Sequence, residues 1–122
     1  MTVYYAHCVS IYDTPQETRD VETLTRLGFE VYNPNNPEAV EHVEILRRAG
    51  ADYMDFFRVL VQGFDALAFR ALPDGYIPAG VAKEIQWALD AGRPVIELPA
   101  SILRRTLPLE QTREYLRAVG QR

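Results

Sequence analysis

Glu84 is the residue of this chain best placed to do chemistry. It follows Gly80 in the run Gly80-Val81-Ala82-Lys83-Glu84-Ile85-Gln86-Trp87-Ala88, after the turn-rich loop Pro73-Asp74-Gly75-Tyr76-Ile77-Pro78-Ala79-Gly80. A carboxylate in the first or second turn of a helix is favoured in its ionised form by the helix dipole and by free amide donors. Gly80 lets backbone come close to a ligand at the helix start. An ionised, positioned carboxylate is what attack on an anomeric carbon needs. Arg70, closing the apolar run from Asp65, has the charge to hold a phosphate or a carboxylate, and Ser10 stands in a loop that suits a phosphate.

Each residue also has a simpler use. Glu84 would stabilise its helix, and Arg70 would form a surface ion pair. Asp65 fixes the chain where it enters a strand, and Tyr4 is a core tyrosine with a satisfied hydroxyl. Glu17 is explained as a capping-box partner of Thr14 and is assigned no chemistry. His7 and Cys8 read as core-edge residues.

Several activities are excluded. No Gly-x-Gly-x-x-Gly follows the first strand, and no Gly-x-x-x-x-Gly-Lys-Ser/Thr or Gly-x-Ser-x-Gly occurs. One cysteine and two histidines make a disulfide impossible within the chain and a metal site improbable, so no cofactor is expected. The net charge of −4 argues against a protein that coats nucleic acid, while leaving room for a small phosphorylated ligand. No apolar run reaches the roughly 20 residues of a membrane span, and no signal-peptide layout is present, so a cytosolic protein is expected.

The elements that must position these groups alternate. At 122 residues and 48% hydrophobic, the chain suits one domain. Short apolar strands are predicted at 2–8, 29–32, 65–72 and 95–98. Helices are predicted from Thr14-Pro15 to Gly28, from Asn36-Pro37 to Gly50, after Asp52, over 80–91 and after Pro108, where Leu109, Leu116 and Val119 would pack. The pattern is that of an α/β three-layer sandwich with a short parallel sheet, Rossmann-like or flavodoxin-like, whose ligands bind at the carboxyl ends of the strands.

With these residues in order, the chain resembles the nucleoside 2-deoxyribosyltransferases and deoxynucleotide N-glycosidases over residues 2–98. The shared features are the opening strand Thr2-Val3-Tyr4-Tyr5, then Tyr32-Asn33-Pro34, then Asp65, then Gly80 to Glu84, and finally Gly92-Arg93-Pro94-Val95. The resemblance implies that Glu84 is a nucleophile attacking C1′ of a deoxynucleoside or deoxynucleotide and that Tyr4 orients it. It also implies that the loop Cys8 to Ser10 lies beside the sugar or a 5′ phosphate, and that the chain is a homo-oligomer needing no metal or organic cofactor. A small-molecule nucleoside or nucleotide is the expected partner, with neither nucleic acid polymer nor membrane. Two acids of the family are displaced: Pro78 stands at one position and Phe57 at the other, with Asp55 the nearest acid and thereby a candidate for substrate binding. The alternative reading is a nucleotide-binding module of the same fold without turnover.

Overall fold

The computed structural model describes residues 1–99 and 106–121. Four strands form one sheet, β1 (Thr2–Ala6), β2 (Glu30–Tyr32), β3 (Ala66–Phe69) and β4 (Val95–Glu97), in the order β2-β1-β3-β4 with every pairing parallel. Parallel neighbours need crossovers, and helices supply them: α1 (Pro15–Arg26), α2 (Pro37–Arg48), α3 (Tyr53–Gln62) and α4 (Ala79–Asp90). A last helix, α5 (Leu109–Ala118), follows. This is the α/β sandwich expected, with strands one to four residues shorter than their apolar runs suggest.

The caps explain where the helices begin. Thr14 Oγ1 accepts the Glu17 amide at 3.3 Å, Asn36 Oδ1 accepts the Ala39 amide at 2.9 Å, and Asp52 Oδ1 accepts the Met54 amide at 3.0 Å. Pro15 and Pro37 occupy first-turn positions of α1 and α2.

Alternation along β1 divides the core in two. Val3 and Tyr5 pack with Leu24 of α1, Ala66, Ala68 and Leu98 on one face. Tyr4 and Ala6 pack with Val61 of α3, Leu67, Phe69, Val81 and Ala88 of α4 on the other. Tyr4 is paired in register with Tyr32 and Leu67, and its ring stacks on that of Tyr32 at 5.8 Å. The last helix departs from expectation: α5 buries none of its residues, with Leu109 and Val119 exposed and Leu116 half-buried. Among the described residues, no helix is long and apolar enough to cross a membrane.

Candidate active site

The chain leaves β1 in one direction across the sheet and returns to build β3 on its other side, so the topological switch lies between these two strands. On the α2–α3–α4 face, past the carboxyl end of β1, lies a cleft of about 510 Å³. Tyr4, His7 and Cys8 come to it from β1 and its continuation, Pro78 and Gly80 come from the start of α4, and Glu84 and Trp87 from further along that helix. Val40, Val43 and Arg47 of α2 and Tyr53, Met54 and Phe57 of α3 form the opposing wall.

Tyr4 and Glu84 meet at its floor. The Tyr4 hydroxyl is completely buried and closes no hydrogen bond. The two side chains nonetheless act on each other. Burial and then the charge of Glu84 raise the Tyr4 phenol far above its ordinary range. Burial pushes the Glu84 carboxyl up to about 7, against a smaller lowering by the Tyr4 hydroxyl. We read this as an approach just beyond bonding geometry. Glu84 lies past the first turn of α4, where the dipole fades, so burial governs its proton rather than the helix N-terminus. The expectation of a dipole-held, fully ionised Glu84 is corrected accordingly.

The start of α4 is open. Pro78 provides no side-chain cap and no acid stands in the first turn. A β-carbon placed on Gly80 would meet nothing within 4 Å, so the glycine borders free space. Tyr12 also lines the cleft, and burial followed by the charge of Glu84 pushes its phenol up to about 12.

The other expected site residues divide. Cys8 lines the cleft, half-buried, and hydrogen bonds from Ser10 hold its thiol below the ordinary value. Ser10 itself is exposed on the short 3-10 turn Val9–Ile11, beside Cys8 but outside the cleft wall. Asp55 points to solvent and pairs with Arg58 at 2.7 Å; Phe57 takes the place in the wall. Asp65 sits at the amino end of the sheet, away from the cleft, where its carboxylate accepts from the Thr2 amide at 2.8 Å and hydroxyl at 3.1 Å. These bonds hold its carboxyl below the usual range and tie the starts of β1 and β3 together. Arg70 is turned to the α1 face, where it grips Asp20 through two nitrogens at 2.6 and 3.0 Å. Asp55, Asp65 and Arg70 are thus not brought to the cleft, because each already has a structural partner.

Two buried networks escaped the sequence. Tyr5 and Gln16 join Arg70 on Asp20, at 2.6 and 2.8 Å. His7 lies flat on Tyr5, with ring centroids 3.8 Å apart, and its Nε2 meets Glu17 at 2.7 Å. Glu17 also accepts from the Asp13 amide and from Asn35, so it is far more than a cap. A signal existed: Glu17, Asp20 and Leu24 share one face of α1, and acids within an apolar stripe imply buried partners.

No protein-family model, curated protein or solved structure matches the chain. Among the described residues no cluster of three or more His, Cys, Asp or Glu side chains could hold a metal ion.

Proposed function

We propose that the protein breaks or exchanges the C1′–N bond of a deoxynucleoside or deoxynucleotide, as an N-glycosidase or deoxyribosyltransferase. The observation that carries this is the pair at the floor of the cleft, a buried phenol without a hydrogen bond facing a carboxyl raised to about 7. A polar atom left unmatched in the core costs stability, and its retention beside a titratable group in a cleft is the mark of a working site. Glu84 would attack C1′ from below the sugar while the heterocycle departs into the cleft. Water or a second base then releases the glycosyl-enzyme in a double displacement. Tyr4 would donate its hydrogen bond to the ionised Glu84 carboxylate once substrate is bound and orient it for attack on C1′. The resemblance in residues 2–98 supports the same reading.

The test is base release from deoxynucleosides and their 5′-monophosphates, followed by chromatography for the native chain and Glu84→Gln. Release by the native chain alone is the expected result. Ligand-raised melting temperature with no base release would instead support a binding module. Phe57 and Pro78, apolar residues lining the cleft where the resembled family has acids, favour that second reading. Assembly into a homo-oligomer belongs to the same proposal, and light scattering of the intact chain reads it directly.

A further inference from the structure

The identity of the leaving group follows from which protons the cleft can give. A neutral purine or pyrimidine departs as an anion unless an acid protonates it, and such an acid contributes roughly 100- to 10,000-fold. That acid must stand across the sugar from Glu84 with a proton to release.

The cleft offers none among the described residues. His7 faces the Tyr5 carbonyl at 3.1 Å with Nδ1 and Glu17 at 2.7 Å with Nε2, so neither nitrogen is turned to a ligand. Cys8 comes from the continuation of β1, on the Tyr4 side of the cleft, and is no part of the wall opposite Glu84. Glu44, at the rim, is turned to Arg48 at 3.2 Å. Phenols, ordinarily near 10, are weak acids for the task, and Tyr12 is pushed up to about 12. The wall opposite Glu84 is mostly carbon, from Val40, Val43, Met54 and Phe57 with Pro78 beside them, and its polar members are Arg47, whose guanidinium keeps its proton, and the phenol of Tyr53.

What the cleft does offer is a place for positive charge. Trp87 stands three residues after Glu84 on α4, hence on the same helical face, and it lines the cleft with Phe57. Aromatic faces beside a carboxylate attract cations. Arg47 already lies over the Tyr53 ring at 5.4 Å, showing the same attraction inside this wall.

We propose that the substrate is a cationic N-glycoside, a pyridinium or N-alkylated purine glycoside, whose heterocycle leaves neutral and needs no proton. This rests on the glycosidic reading of Glu84. A Glu84 oxygen bonds to C1′ as the C1′–N bond breaks, and the bonding pair goes to the ring nitrogen and cancels its charge. Water then attacks C1′, the ester oxygen leaves as carboxylate, and the surplus proton goes to solvent.

The test measures heterocycle release from the 2′-deoxyribosides, and their 5′-phosphates, of nicotinamide, adenine, guanine, cytosine and thymine. Each rate is referred to that compound's spontaneous hydrolysis, so intrinsic lability drops out. Glu84→Gln, checked for folding by its melting curve, defines the enzymatic part. The expected result is a Glu84-dependent acceleration at least about 100-fold greater for nicotinamide than for any neutral base, the smallest contribution expected of an acid. A smaller preference overturns the inference and leaves the glycosidic function standing. Glu84-independent or absent release from every compound overturns both.

Discussion

At the scale of single residues, Tyr4 and Glu84 are held against the interests of the fold. The Tyr4 hydroxyl is buried without a partner, so Tyr4→Phe removes an unmatched polar atom and keeps the ring that stacks on Tyr32. We expect chemical denaturation to show Tyr4→Phe as stable as the native chain or up to about 1 kcal/mol more so, with kcat lowered at least tenfold. Loss of stability with unchanged kcat would make Tyr4 an ordinary core residue. For Glu84 the sign is set by its raised pKa. An unfolded glutamate titrates near 4.5 and the folded one near 7, so the fold prefers the protonated form. Stability from this group is full below the unfolded value and lost as pH rises toward 7. Glu84→Gln should therefore be more stable than the native chain at pH 8, by about 1–3 kcal/mol, and no more stable at pH 4. Catalysis needs the ionised form, so kcat/KM should climb with an apparent pKa near 7, which a pH–rate profile would show directly. Glu84 was legible from its place after Gly80 in a helical run. Its proton affinity was not, because burial at the floor of a cleft is a tertiary property.

At the scale of elements, ionic ties fix the carboxyl ends of the strands on which the site is built. Arg70, just past β3, and Asp20, in α1, are joined by a bidentate pair on the α1 face. Burial raises Asp20, but hydrogen bonds from Arg70, Tyr5 and Gln16 outweigh it and the carboxyl ends below its usual value. Removing one partner of such a pair strands the other charge, so Arg70→Ala should cost about 3–5 kcal/mol in urea unfolding. A loss below 1 kcal/mol would show the pair to be dispensable. The sequence made Arg70 a candidate for phosphate because its position after an apolar strand was right. Which face it turns to depends on Asp20 lying inward on α1, and strand order alone does not reveal that. Asp65 and Asp55 illustrate the same limit. The first was placed correctly at a strand start, and that end proves to be opposite the cleft. The second is offset from the inward stripe by two positions, which turns it to solvent beside Arg58.

At the scale of the molecule, the alternation of short strands with capped helices was enough to specify a parallel α/β sandwich, since local signals such as Thr14-Pro15 and Asn36-Pro37 coincide with real helix starts. The end of the chain was less legible, because the spacing of Leu109, Leu116 and Val119 is helical without being buried. Charge sets opposite slopes on the two sides of about pH 5. Glu17, like Asp20, ends below its ordinary value despite burial, through His7, Asn35 and the Asp13 amide. Both contribute stability that is present above their unfolded values and lost as pH falls through the folded ones. Glu84 works the other way, so thermal unfolding should show the highest Tm near about pH 5 and a fall from there toward pH 7. A Tm that still rises above pH 7 would contradict the assigned burial of Glu84.

The sheet order has a consequence for how the chain comes into being. β1 precedes the other strands in the chain, yet it lies between β2 and β3, and its Ala6 waits for Phe69 as a partner. Until β3 has been synthesised, this strand has one flank uncovered. Folding of this protein is a late event set by a long-range pairing, and contacts of that kind are slow to form. During that interval the exposed flank of β1, and not the finished surface, is where nascent chains would find one another.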